Sequence, residues 1–107
     1  MLVESFGTQT AVIGTEHTLA SPTTGKTRAL LVDVAAQVAG DIVELRISGP
    51  VLVGGTSRLI LTTTFGGVVA APHTQSWAVI MPHGGTFTLK QTAGTARAYP
   101  WDIITLD

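Results

Sequence analysis

Polar and apolar residues alternate with a period of two along much of this 107-residue chain. In Asp41–Ser48, Val43, Leu45 and Ile47 fall on one side, and Glu44, Arg46 and Ser48 on the other. That is the pattern of a strand with one buried face. Thr86–Thr92 repeats it, with Phe87 and Leu89 inward and threonines and Lys90 outward. Ser57–Phe65 sets Leu59, Leu61 and Phe65 against Arg58, Ile60, Thr62 and Thr64, so its second face is only half polar. Arg28–Val34 and Trp77–Met81 are more continuously apolar, which predicts strands central in a sheet or covered on both faces. Ala98–Leu106 forms a last strand interrupted at Tyr99-Pro100-Trp101, while Gln9–Ile13 and His17–Ala20 are shorter edge pieces around Gly14. Ala35–Ala39 is the one candidate for a helical turn.

Turn residues punctuate these segments at Gly14, Ser21-Pro22, Gly40-Asp41, Gly49-Pro50, Gly54-Gly55, Gly66-Gly67, Gly84-Gly85 and Gly94. A spacing of roughly 8–12 residues between such signals belongs to sandwiches and barrels. Thr, Val and Ile make up about a third of the chain, and their branched side chains suit a pleated surface. The expectation is an all-β fold: a single antiparallel β-sandwich domain over residues 1–107, jelly-roll or Ig-like, with about seven to nine short strands.

Charge changes the picture. Only 12% of residues are charged, against about a quarter in ordinary globular chains. With 45% hydrophobic residues, disorder is excluded. Six basic residues against seven acidic ones, spread along the chain, speak against a nucleic-acid or membrane-surface partner. No Cys is present, so no disulfide can form. The start at Met1-Leu2-Val3-Glu4 lacks the basic, then apolar, pattern of a secretory signal, and no apolar run spans a bilayer. A soluble chain made in the cytoplasm is expected. Part of its surface is expected to be covered by something other than water.

Candidate chemistry is thin. Thr24-Gly25-Lys26-Thr27 resembles a phosphate-binding loop, but Ala20 stands where its first Gly is required, and strand-like residues follow. A polar turn is the better reading. His17, His73 and His83 lack second ligands at metal-binding spacing. His73 and His83 could approach each other only if 68–72 and 77–82 formed a hairpin. No serine sits in a nucleophile elbow. Asp33 and Asp41 fit turn-capping roles around 35–39 and Gly40. No enzyme, cofactor or metal site is expected. Trp77 has no Lys or Arg within ten positions, unlike a nucleic-acid reader. Tyr99 and Trp101 share one face of a strand, as surface anchors for a partner or as plugs closing one end of the core. Arg97 could pair with an acidic group of a partner.

Four stretches, Gly14–Ala20, Val32–Ile47, Val51–Leu59 and Leu89–Trp101, cover over half the chain. Together and in this order they resemble a family of small proteins encoded among the structural genes of tailed bacteriophages; residues 60–88 match that pattern less well. The family has no catalytic motif, so no active residue carries over. The resemblance implies a virion component on the capsid exterior, made in the host bacterial cytoplasm. Its implied role is cement or decoration, binding the major capsid protein and stabilising the shell, with a homotrimer as the expected oligomer. The expected interface residues are Arg58, Ile60, Val68, Val69, Trp77, Val79, Arg97, Tyr99 and Trp101. The alternative is a tail- or fibre-associated sandwich binding a glycan or receptor on a Tyr99/Trp101 platform. A host-expressed sandwich with another ligand is a third reading.

Overall fold

The computed structural model describes residues 2–76 and 78–106. Nine strands are present among them: β1 (Leu2–Thr10), β2 (Glu16–Ala20), β3 (Lys26–Asp33), β4 (Ile42–Gly49), β5 (Arg58–Gly66), β6 (His73–Gln75), β7 (Val79–Met81), β8 (Thr86–Ala93) and β9 (Ala98–Thr105). They form two antiparallel sheets. Sheet A runs β1-β9-β3-β6, with β7 also on β3, and sheet B runs β2-β8-β4-β5. β6 and β7 pair with successive parts of β3, at Leu31–Asp33 and at Lys26–Arg28, and so behave as one interrupted strand. Counted that way, the order is that of an eight-stranded jelly roll. The pairs are nested: β4 with β5, β3 with β6 and β7, β2 with β8, and β1 with β9.

The core lies between the sheets. Leu30, Val32 and Val34 enter it from sheet A with Met81, Tyr99 and Ile103, and meet Val43, Leu45, Ile47, Phe87 and Leu89 of sheet B. The inward sets expected for β4 and β8 are thus correct, and they face each other in register, Leu45 opposite Leu89 and Ile47 opposite Phe87.

Several local expectations change. Residues 35–39 hold no helix: Gln37 N–H bonds Val34 O and Asp41 N–H bonds Val38 O, giving two successive turns. The first strand begins at Leu2, well before Gln9. β7 is covered on one face only, since Ile80 is 75% exposed. No 68–72/77–82 hairpin forms, because both β6 and β7 pair with β3 instead. β9 is an uninterrupted central strand despite Pro100. Its ladder to β3 ends at the Val32–Trp101 pair, so the missing N–H falls where β9 has a single neighbour.

Candidate partner-binding surface

The two outer faces of the sandwich differ in kind. On sheet B the register aligns Glu16, Lys90, Glu44 and Thr64 in one row, and Thr18, Thr88, Arg46 and Thr62 in the next. Arg46 Nε lies 2.5 Å from Glu44 Oε1, and its NH1 lies 3.6 Å from Glu16 Oε1. Thr88 Oγ1 donates to Glu16 Oε2 at 2.7 Å. This is an ordinary wetted face.

Sheet A presents the opposite. A groove of about 700 Å³ crosses its outer face, walled by Val3 and Phe6 of β1, Leu31 of β3 and Pro100 of β9. Phe6 is 77% exposed. Three ionisable residues also line the groove: Asp33, His73 and Asp102. Asp33 Oδ1 accepts from the Ala35 amide at 2.9 Å, the turn bond expected from the sequence. Its Oδ2 lies 3.4 Å from His73 Nε2. Asp102 sits between Phe6 and Leu31, its ladder partners on either side. Its Oδ1 is buried and accepts no hydrogen bond from a described residue. Burial of a carboxylate oxygen among apolar walls is costly unless a donor arrives. No Lys or Arg lines the groove among the described residues.

Val3 and Phe6 share this face although they lie three residues apart, because a bulge at Glu4 shifts the β1 register between Val3 and Ser5. Period-two reading cannot see such a pair. The bulge serves a second purpose: Glu4 meets Arg28, a fully buried guanidinium, with Nε donating at 2.6 Å and NH2 at 3.0 Å. Thr24 supplies a carbonyl and a hydroxyl to the same guanidinium. Thr24 of the Thr24–Thr27 motif therefore braces a structural ion pair, while Lys26 and Thr27 already belong to β3.

At the far end of the sandwich, a polar cluster ties loops together. Asp41 is buried; its Oδ2 accepts from Val38 N and Arg97 Nε, and its Oδ1 from Thr95 N. These donors, the Val38 amide foremost, hold its carboxyl below the usual carboxylate range. Buried Gln91 donates to Ala93 O and Thr95 O and accepts from Arg97 N. Tyr99 Oη donates to Gln37 Oε1 at 3.0 Å, and burial pushes its phenol up to about 12.

The residues singled out in the sequence do not converge. Arg58 and Ile60 are exposed at the start of β5, and Val68 is exposed in the β5–β6 loop at the opposite end. Val69 and Trp101 are partly buried against the core, and Val79 belongs to it. Tyr99 is wholly buried, so this chain has no exposed Tyr99/Trp101 platform for a glycan. Arg97 is taken by Asp41 of its own chain rather than by a partner. Trp77 lies outside the described residues. Sequence reasoning missed the sheet A groove, and also the apolar β4–β5 loop tip, where Val51, Leu52 and Val53 are 81%, 71% and 84% exposed.

No family model, curated protein or solved structure matches this chain.

Proposed function

We propose that this chain is a non-enzymatic virion structural protein of the capsid cement or decoration type, bound to the shell of the major capsid protein. The observation that carries the reading is the contrast between the outer faces. Sheet B carries ion pairs and threonines across its middle, with exposed apolar residues at its β5 edge (Leu59, Ile60), whereas sheet A exposes Val3, Phe6, Pro100 and Ile80 across its face. Contiguous exposed apolar surface of this kind marks an interaction site. In the assembled particle sheet A is covered and sheet B faces outward. A jelly roll hosts many functions, so the fold itself carries no weight here. The four-stretch resemblance to phage structural proteins supplies the shell as the partner.

Co-sedimentation with purified capsids tests this. Saturable binding is expected, with capsids becoming more resistant to heat, and Ile80→Asp, at an exposed position of β7, is expected to abolish binding while the chain remains folded. Failure of the wild-type chain to bind either capsids or mature virions overturns the proposal.

A further inference from the structure

The groove on sheet A and the β4–β5 loop tip are complementary in polarity and charge. The tip projects three consecutive aliphatic side chains, Val51, Leu52 and Val53. Arg58 borders the same hollow as Val51 and Leu52, is exposed, and forms no ion pair with a described residue. The groove offers apolar walls and two carboxylates, of which Asp33 faces His73 and Asp102 faces no basic residue among the described ones lining it. Its volume lies within the roughly 300–1,000 Å³ typical of sites that enclose a ligand.

Knob and socket cannot meet within one protomer. The tip lies at the end of the sandwich where β4 leaves and β5 begins. The groove lies on the other sheet, towards the end where β3 finishes and β9 starts. The molecule is 41 Å long.

We infer that the groove receives the β4–β5 loop tip of a second copy of this chain, with Leu52 and its valine neighbours against Phe6 and Leu31 and the Arg58 guanidinium on Asp102. Different surfaces meet in such a contact, so it is head-to-tail, and it closes into a ring when the rotation per step permits. The guanidinium supplies the positive charge that the Asp102 carboxylate lacks on the described residues around the groove. The rest of sheet A, around Ile80, stays available for the shell. The contact needs no capsid, so its success or failure is separable from that of the cement reading.

Sedimentation equilibrium of the full chain across a wide concentration range tests the contact. Wild type is expected to self-associate, and Leu52→Asp or Arg58→Asp to weaken association by roughly tenfold or more, as loss of a close interfacial charge pair does. Both changes sit on an exposed loop or strand end, so circular dichroism should remain native. Asp102→Lys should act likewise. Mixing Arg58→Asp with Asp102→Lys chains should yield pairs in one-to-one ratio, and combining both changes in one chain should recover association. A wild-type chain that stays monomeric at the highest attainable concentration overturns the inference. So does unchanged association in folded Leu52→Asp and Arg58→Asp variants.

Discussion

Arg97 donates through Nε to Oδ2 of Asp41 at 2.8 Å, joining residues 56 apart in sequence across the end of the sandwich. The same carboxylate also holds the amides of Val38 and Thr95, so one side chain fixes the β3–β4 turns against the β8–β9 turn.

Acid should therefore loosen this end. The Asp41 and Glu4 carboxyls both lie below their ordinary values, Glu4 chiefly through its hydrogen bonds with Arg28. A carboxyl depressed in the native state contributes stability above its unfolded value, and this is lost as pH falls through the native one. Urea midpoints are expected to hold steady near neutrality and to decline below about pH 4. Asp41→Asn should flatten part of that decline.

Tyr99 is the single tyrosine, so its ionisation can be followed by ultraviolet absorbance without interference from another phenol. Its value is raised, so the sign reverses. Its contribution to stability is complete below pH 10 and is lost as pH climbs towards about 12. Tyrosinate absorbance should appear well above the ordinary phenol range, and in the ordinary range once urea unfolds the chain. Tyr99→Phe leaves Gln37 Oε1 without its donor and should cost about 1–3 kcal/mol in chemical denaturation.

Two phenylalanines should behave oppositely. Phe87 is fully buried at the sheet interface, and Phe87→Ala should cost about 3–5 kcal/mol, enough to unfold much of so small a domain. Phe6 is largely exposed; Phe6→Ala should shift stability by no more than about 0.5 kcal/mol while weakening self-association.

Gly94 adopts φ +87°, and a Cβ there would lie 2.0 Å from Asp41 Oδ1 and 2.7 Å from Asp41 Cα. Gly94→Ala should therefore lower the thermal midpoint by breaking the Asp41 cluster as well as by backbone strain. Combining it with Asp41→Ala should cost less than the two losses added, because both act on one network.

What could be read from the sequence follows from which strands have one wet face. β4 and β8 do on sheet B, and their alternation placed Val43, Leu45, Ile47, Phe87 and Leu89 correctly. β3 read as doubly covered because Leu31 and Ala29 continue the apolar run onto sheet A's outer side, which was the first trace of the groove. β1 was illegible before Gln9: its bulge at Glu4 breaks the period, and Gly7 leaves a gap that the Trp101 ring fills, 3.3 Å from where a Cβ would stand. Arg97 looked available because its partner, Asp41, is remote in sequence and met only through the nested pairing. The Val51–Val53 tip lies between the Gly49-Pro50 and Gly54-Gly55 turn signals, where three residues are too few for any periodicity to show which way their side chains point.

The nested pairing has a kinetic side. The chain is in effect one long hairpin, bent at 50–57 and rolled up, so each outer pair closes a larger loop than the one inside it. Closing β1 on β9 first would confine nearly the whole chain for a single pairing, whereas β4 on β5 closes only the short 50–57 loop. Folding should then start at the bend and zip outward, on the slow millisecond-to-second scale of non-local β topologies. The tip that reaches for a neighbour would be among the first parts of the molecule to take shape, and inserting glycines there should slow refolding more than the same insertion at 11–15.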